Sequence, residues 1–375
     1  MNGTWPINEM RMKKEFSELV AIDSVSFSER QMADCLAEKC KNLGFKVTED
    51  QAGAHYGGNA GNLYGFLQGT LPGAPVLLSA HMDTVSPGKG KRAVFLEDGK
   101  IVSESDTVLG ADDLAGVVEI LEGIRCVQET GRPHRDIEIL FPIGEEDYVK
   151  GTDVFDFGAV RSKEAYVLDM SGPVGKAAIQ APSIISFQAV IHGKAAHAGF
   201  EPERGINAIL AMSRAIAEIR QGRLDEETTF NIGNVFGGEA LNIVPEICTC
   251  TGEIRSYHNE NALKYMEQVK NIFSQKAEEM GAVCEFHQKV EIMAYKIEEK
   301  LPVVKKFQEG CKRLGIEPEL IRTFGGSDNN NFVKNGIDGI VLSCGMYQVH
   351  STNEYTIVEE LKKGAALVAE LLVQV

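Results

Sequence analysis

Short apolar runs alternate with longer segments of helical periodicity at both ends of the chain, a pattern that predicts an α/β fold. Buried strands are predicted at residues 75–79, 137–143, 165–168 and 340–344. Helices are predicted at residues 7–21, 28–43, 110–124, 303–314 and 357–373. Ser28, followed three residues later by Gln31, predicts a capping box at the start of the second helix. The two ends of the chain are therefore expected to form one domain, in which helices flank a mixed sheet.

The middle of the chain has a different pattern, with longer strands and two amphipathic helices. The predicted order is strand, helix, strand, strand, helix and strand, at residues 183–192, 205–220, 228–235, 246–256, 259–280 and 282–290. This order is that of the ferredoxin-like α+β unit. We therefore predict an inserted ferredoxin-like domain at residues 181–292, between the two parts of the α/β domain at 1–180 and 293–375. As a lid, it would have hinges near 180–183 and 290–296.

Composition and charge narrow the class of protein. The chain of 375 residues has 54 acidic and 38 basic side chains, a formal charge of −16, which disfavours nucleic acid and anionic membranes as partners. Apolar stretches fall short of the ~20 residues that span a bilayer, and residues 1–6 lack a signal-peptide pattern. Eight cysteines are too few for a disulfide scaffold in a chain of this length. We therefore expect a cytoplasmic protein.

Candidate metal ligands follow the apolar runs. His81, Glu146, Asp169 and His350 each come after a predicted strand, and Asp112 opens a predicted helix. Taken singly, each has an ordinary interpretation, as a solvated polar group at a strand end or as an acid that suits a helix dipole. Separate strand ends meet at one edge of an open sheet, so the five side chains could share a crevice. Two imidazoles and three carboxylates are a donor set that suits zinc.

The charge of this set favours two metal ions over one. Three carboxylates around a single Zn²⁺ would leave the site negative and would repel a hydroxide nucleophile, whereas two Zn²⁺ make it positive. One carboxylate must then contact both ions, and Asp112 is our choice for this bridge. Glu145, adjacent to the ligand Glu146, would take a proton from the attacking water and pass it to the leaving amine. Asp83, two residues after His81, would orient the imidazole ring.

At this point the motifs resemble a known family. Residues 79–84 read SAHMDT, residues 110–116 read GADDLAG, and a Glu-Glu pair, a Leu-Asp pair and a late His-Ser pair follow in order. Together they resemble the di-zinc exopeptidases that include peptidase T, carboxypeptidase G and aminoacylase. The resemblance covers nearly the whole chain and is strongest to peptidase T and its near relatives.

The resemblance implies a role for each residue of the set. One zinc would be held by His81, Asp112 and Asp169, and the other by Asp112, Glu146 and His350. It also implies Glu145 as the general base and Asp83 as the residue behind His81. Two Zn²⁺ per subunit are expected, with Co²⁺ or Mn²⁺ as substitutes.

The inserted domain carries further matches to the family. Residues 193–199 resemble its glycine- and histidine-bearing turn, so His197 would stabilise the oxyanion formed at the substrate carbonyl. The alternative for His197 is an ordinary histidine in a surface turn. Asn242 and Arg255 lie in two more matching segments and would bind the substrate, with Arg255 on its carboxylate. Both are alternatively structural, with Arg255 as an ion-pair partner at a strand end.

The expected activity is hydrolysis of terminal peptide bonds in short peptides, with tripeptides favoured as substrates of an aminopeptidase. The same metal core would also suit a deacylase of N-acyl amino acids or a carboxypeptidase. A metal-binding or peptide-binding module without catalysis is a third interpretation, which Glu145 disfavours because binding needs no base. Leu114 and residues 147–150 depart from the peptidase T pattern, which leaves the exact substrate open. The inserted domain would act as a lid or pair with a second copy as a homodimer.

Overall fold

A computed structural model describes residues 5–374 of the chain. Residues 1–4, part of the stretch inspected above for a signal peptide, lie outside this range. The helices are α1 Glu9–Val20, α2 Arg30–Asn42, α3 Ala52–His55, α4 Ala111–Thr130, α5 Lys150–Asp153, α6 Ala208–Glu218, α7 Asn259–Glu278, α8 Pro302–Arg313, α9 Asn329–Lys334 and α10 Val358–Leu372.

The strands are listed in chain order. They are β1 Lys46–Glu49, β2 Leu63–Leu67, β3 Val76–Ser79, β4 Ala93–Phe95, β5 Lys100–Ser103, β6 Ile137–Phe141, β7 Glu164–Met170, β8 Lys176–Ala181, β9 Ser183–His192, β10 Gly222–Asp225, β11 Thr228–Gly237, β12 Ile247–Ser256, β13 Val283–Ile292, β14 Tyr295–Lys296, β15 Glu319–Arg322, β16 Asp338–Ser343, β17 Met346–Tyr347 and β18 Tyr355–Ile357.

The chain divides into two compact units. The main unit comprises the chain up to Gln180, Lys296–Thr323 and the residues from Ser327 onward, and the inserted unit comprises Ala181–Tyr295 with Phe324–Gly326. The chain therefore passes from the main unit into the inserted unit after Gln180 and returns to the main unit at Lys296. A short loop of the C-terminal part also belongs to the inserted unit.

The main unit contains a mixed sheet, as predicted. Its strand order includes β1-β2-β6-β3-β7-β16-β8, with β15 beside β8. The central strands β6, β3, β7 and β16 run parallel to one another, while β2 is antiparallel to β6 and β8 is antiparallel to β16. Strand β3 is buried along its whole length, and so is β6, as expected for strands covered on both faces. Their carboxyl ends therefore open at one edge of the sheet, where the predicted ligands follow them.

The inserted unit contains an antiparallel sheet of order β10-β11-β12-β9-β13. Strands β9, β11, β12 and β13, with helices α6 and α7, follow the predicted ferredoxin-like order, and β10 adds an edge strand that the pattern did not predict. Buried side chains of both helices and of the sheet form one core cluster. The predicted mixed α/β fold is thus confirmed.

Two predicted helix starts differ from the structure. Helix α2 begins at Arg30, and its N-cap is Glu29, whose side chain makes no capping hydrogen bond, so the capping box at Ser28 is wrong. The carboxylate of Glu29 instead accepts the main-chain N–H groups of Phe27 and Gly144. In α4, Asp112 has non-helical torsion angles (φ −82°, ψ 100°), so the regular helix begins after it.

Two further observations bear on the class of protein. Within residues 5–374, the helices are all too short or too polar to cross a membrane. The eight cysteines, which all lie in the described part of the chain, are free thiols.

Candidate metal centre and base

Five side chains of the main unit form two overlapping groups of metal-ligand type. In each group the candidate donor atoms lie within 4.8 Å of one another, and Asp112 belongs to both. The groups are His81, Asp112 and Asp169, and Asp112, Glu146 and His350. These are the two sets that the resemblance implied, so the structure brings all five predicted ligands together.

Asp112 directs its two carboxylate oxygens to different histidines. Its Oδ1 lies 3.1 Å from Nε2 of His81, and its Oδ2 lies 3.3 Å from Nε2 of His350. Oε2 of Glu146 lies 2.9 Å from the same nitrogen of His350, and Oδ1 of Asp169 lies 3.9 Å from Nε2 of His81. One carboxylate thus faces both groups, which is the geometry that a bridging ligand requires.

The donor set fits a metal cation. Nδ1 of His81 lies 2.9 Å from the main-chain carbonyl of Asp83, which assigns the proton of a neutral ring to Nδ1. Nε2 then presents a lone pair to the oxygens of Asp112 and Asp169, an arrangement that is favourable only with a positive charge between them. Oε1 of Glu146 is also buried and has no hydrogen-bond partner. A bound cation would satisfy both groups.

The titration of these residues shows the same need for positive charge. Contacts with Asp112 and then Glu146 raise the pKa of His350 to about 10. Burial alone would lower the pKa of His81, but contacts with Asp112 and Asp83 raise it well above its usual range. Burial raises the pKa of the Asp169 carboxyl well above its usual value. The carboxylates of the cluster thus favour positive charge at both histidines, and a bound metal ion would supply that charge in place of protons.

The contacts of Asp83 differ in detail from the prediction. Its main-chain carbonyl is the nearer acceptor for Nδ1 of His81, and its carboxylate Oδ1 lies farther away, at 3.4 Å. The carboxylate instead accepts the main-chain N–H groups of Glu145 (3.0 Å) and Glu146 (3.2 Å) and the hydroxyl of Ser26 (2.7 Å). Asp83 thus contacts His81 through its main chain and holds the Glu145–Glu146 turn through its side chain.

Glu145 lies in a short 3₁₀ turn directly after β6. The turn, Glu145–Asp147, is bounded by Gly144 (φ 57°) and Tyr148 (φ 63°), both in the left-handed region. Glu145 is buried and adjacent to the ligand Glu146, and burial, followed by the charge of Asp169, raises its pKa well above the usual value. A carboxylate of raised basicity beside a metal group is suited to accept a proton from water.

Two glutamates that support this cluster were missed from the sequence. Glu29 joins the segment before α2 to Gly144, and Glu354 accepts the main-chain N–H groups of Gly110 (2.7 Å) and Asp112 (2.9 Å). Both are buried. The signal that could have revealed Glu29 is its position just before a predicted helix, where Ser, Thr, Asp and Asn are the preferred N-cap residues.

The three candidates for substrate binding lie in the inserted unit. His197 is exposed, and its Nδ1 accepts the main-chain N–H groups of Gly199 (3.1 Å) and Phe200 (3.2 Å). Its ring stacks on that of Phe200, with centroids 4.3 Å apart. Asn242 is exposed, and its carbonyl accepts the N–H of Ala198, which joins its loop to the His197 turn.

Arg255 lies on β12 and is half-buried. Its Nε donates to Glu253 at 2.6 Å, and its Nη1 donates to the main-chain carbonyl of Phe324 at 3.0 Å. These contacts fit the structural alternative for Arg255, and they also fix the direction of its guanidinium.

Comparisons with known proteins agree with this geometry. Residues 179–281 match the family described as the peptidase dimerisation domain, and residues 62–189 match peptidase family M28. The uncharacterized protein YqjE of Bacillus subtilis is 37% identical over 366 residues, which cover 98% of each chain. These matches include both units.

Solved structures cover the same length. The aminopeptidase PepT of Bacillus cereus has a TM-score of 0.89 at 38% identity, and a tripeptidase of Staphylococcus aureus has a TM-score of 0.94 at 34% identity. Each comparison covers 98% of both chains. The chain therefore belongs to the peptidase T-like exopeptidases of the M20 metallopeptidase family, and it is a hydrolase.

Proposed function

We propose that the protein is a di-zinc aminopeptidase that removes the N-terminal residue of short peptides, with tripeptides as the preferred substrates. The observation that carries the proposal is the pair of ligand groups that share Asp112, with Glu145 beside them. The similar proteins of known structure are called an aminopeptidase and a tripeptidase, which supports this substrate class.

The ligand roles follow from the two groups. His81, Asp112 and Asp169 would hold one ion, and Asp112, Glu146 and His350 the other. Zinc fits the mixture of imidazole and carboxylate donors, and Co²⁺ or Mn²⁺ would substitute. When bound, the ions would polarise the scissile carbonyl and lower the pKa of water at the site.

Glu145 would carry the proton during hydrolysis. Its carboxylate would accept a proton from the attacking water and deliver it to the nitrogen of the leaving amine. The hydrogen bonds from the N–H groups of Glu145 and Glu146 to Asp83 support this role, since they fix the main chain from which both side chains project. The buried carboxylate of Asp83 thus holds the main chain of both the proposed base, Glu145, and the proposed ligand, Glu146.

His197 would donate a hydrogen bond to the oxyanion that forms at the attacked carbonyl. Because Nδ1 accepts two main-chain N–H groups, the neutral ring carries its proton on Nε2. The turn therefore presents a donor outward, as stabilisation of developing negative charge requires. Arg255 would contact the substrate carboxylate, and Asn242 would help to bind the substrate through its exposed side chain.

Two other activities use the same groups. A deacylase of N-acyl amino acids or a carboxypeptidase would need the same ligands and the same base, so only the substrate separates them from an aminopeptidase. A non-catalytic binding module needs no base. The buried Glu145, held in a turn next to a ligand, therefore favours an enzyme.

A substrate panel tests the proposal. Purified protein loaded with Zn²⁺ is assayed with a tripeptide, its N-acetylated form, the matching dipeptide and an N-acetyl amino acid. We expect hydrolysis of the tripeptide, loss of hydrolysis on N-acetylation, and little activity on the last two compounds. Cleavage of N-acyl substrates alone would reject the aminopeptidase and select the deacylase.

The same proposal includes a homodimer formed through the inserted unit of a cytoplasmic protein. The match of residues 179–281 to a dimerisation domain supports it, together with large apolar side chains that the unit exposes. Phe200, Phe236 and Leu241 are 82%, 67% and 104% exposed. Such residues are typical of interaction sites when they are grouped. Light scattering on the purified chain should give twice the monomer mass, and a monomer at micromolar concentration would reject the dimer.

A further inference from the structure

Glu354 links the loop of one metal ligand to the main chain of another. The residue closes the loop between β17 and β18, four residues after His350. Its Oε2 accepts the N–H of Gly110 at 2.7 Å, and its Oε1 accepts the N–H of Asp112 at 2.9 Å. The contact spans more than 240 residues of sequence, and Glu354 is 2% exposed.

The main chain at Asp112 depends on an acceptor of this kind. Gly110 has a positive φ of 79°, and Asp112 has non-helical torsion angles, so the N–H of Asp112 lies before the regular hydrogen bonds of α4. A buried N–H without a partner is costly, and Glu354 supplies the partner.

The contacts form a closed ring around the second ligand group. Glu354 holds the main chain of Asp112, and the Asp112 side chain faces His350 across 3.3 Å. The loop from His350 then returns to Glu354, whose own N–H donates to the carbonyl of Ser351. Any displacement at Glu354 would therefore move the bridging carboxylate and the His350 loop relative to one another.

We propose that Glu354 is a positioning residue of the metal centre, which sets the direction of the Asp112 carboxylate so that one oxygen serves each ion. The proposal rests on the function proposed above, because it assumes that the two groups hold metal. Residues that orient metal ligands change metal affinity by about 10- to 100-fold when they are altered. A positioning role therefore predicts that metal affinity falls by about this factor without a matching loss of the fold.

The chain offers a matched control in Glu138. This glutamate of β6 is also buried, and its carboxylate also accepts two main-chain N–H groups, those of Arg161 and Ser162, together with the hydroxyls of Tyr64 and Ser162. It lies near the start of β6, whereas Glu145 follows the other end of the strand. Glu138→Gln therefore disturbs at least as many hydrogen bonds as Glu354→Gln does, but at a position outside the ligand groups.

The test is a titration of the metal-free, full-length protein with Co²⁺, followed by its visible absorption and by calorimetry. Glu354→Gln presents an amide N–H₂ to one main-chain N–H and should weaken Co²⁺ binding at least about tenfold, with an altered Co²⁺ spectrum. Glu138→Gln should bind Co²⁺ as the wild type does. The thermal midpoints of both metal-free variants are measured in parallel, and we expect a decrease in Glu138→Gln at least as large as that in Glu354→Gln.

Wild-type Co²⁺ affinity in Glu354→Gln would overturn the proposal, and so would an equal loss of affinity in Glu138→Gln. If Glu354→Gln does not fold, Glu354→Asp is titrated instead, because the shorter side chain keeps the carboxyl group but cannot reach both N–H groups. Wild-type affinity in that variant would also overturn the proposal. Failure of the wild type to bind Co²⁺ would instead reject the metal centre itself, which separates the two outcomes.

Discussion

The two units of the molecule present their polar candidates in opposite ways. In the main unit, five ligand-type side chains face one another, and the buried Oε1 of Glu146 has no hydrogen-bond partner. In the inserted unit, His197 and Arg255 have hydrogen bonds to other groups of the same unit. A buried polar atom without a protein partner needs an explanation, such as a bound ion. Side chains that already have protein partners, like those of His197 and Arg255, need none. The geometry of the main unit therefore points to a bound metal ion, whereas the contacts in the inserted unit do not point to a ligand.

The largest expected effect belongs to the base of the main unit. Glu145→Gln should lower kcat for tripeptide hydrolysis by about 10²- to 10⁴-fold, because the amide cannot accept a proton, while metal content stays at the wild-type value. Steady-state kinetics and metal analysis of the same sample measure both. Asp147→Asn is the matched control, since Asp147 is an exposed member of the same turn. Unchanged kcat in Glu145→Gln would exclude Glu145 as the base.

The next effect tests whether the inserted unit takes part in the chemistry. His197→Ala should lower kcat by about 10²- to 10³-fold, the usual cost of removing one oxyanion donor, with little change in metal content. His192→Ala serves as the control, because His192 is an exposed histidine on β9 of the same unit. Equal kinetics for the two variants would show that His197 is an ordinary turn residue.

A smaller effect is expected from the carboxylate behind the Glu145–Glu146 turn. Asp83→Asn should reduce both kcat and metal affinity by about 10- to 100-fold, because the amide cannot accept all three hydrogen bonds of Asp83. Ser26→Ala removes one of these bonds and should show a weaker form of the same change. If Asp83→Asn changed only thermal stability, its role would be limited to the fold.

The smallest expected effect concerns Arg255. Arg255→Lys should raise KM for a tripeptide about tenfold with kcat nearly unchanged, because lysine cannot make a paired contact with a carboxylate. The C-terminal amide of the same tripeptide should show no such difference between wild type and variant. A loss of thermal stability with KM unchanged would favour the structural role that the contacts with Glu253 and Phe324 allow.

The sequence predicted which candidate ligands lie together, and the reason is physical. Parallel strands bring their carboxyl ends to one edge, so polar residues that follow β3 and β6 meet the last residues of β7 there even though they are far apart in sequence. The contacts that support these side chains were harder to predict from the sequence. Periodicity does not reveal that the carbonyl of Asp83 lies nearer to His81 than its carboxylate does, since both belong to one residue.

The supporting glutamates were missed because their partners are main-chain N–H groups at distant positions. Glu354 bonds Asp112 across 242 residues, and Glu29 bonds Gly144 across 115 residues. Main-chain groups carry no residue-specific signal, so such contacts become visible only with the fold. In the same way, the helical pattern of 110–124 predicted α4 but not the irregular main chain at Asp112 that directs its carboxylate.

The most direct test of the account is the number of metal ions that activity requires and its dependence on Asp112. Metal-free protein is titrated with Zn²⁺ under native mass spectrometry, and tripeptide hydrolysis is followed in the same samples. The account predicts that full activity appears with two ions per chain and that Asp112→Asn loses tight binding of both, because the two groups share this carboxylate. Full activity with one ion, or wild-type Zn²⁺ binding in Asp112→Asn, would contradict it.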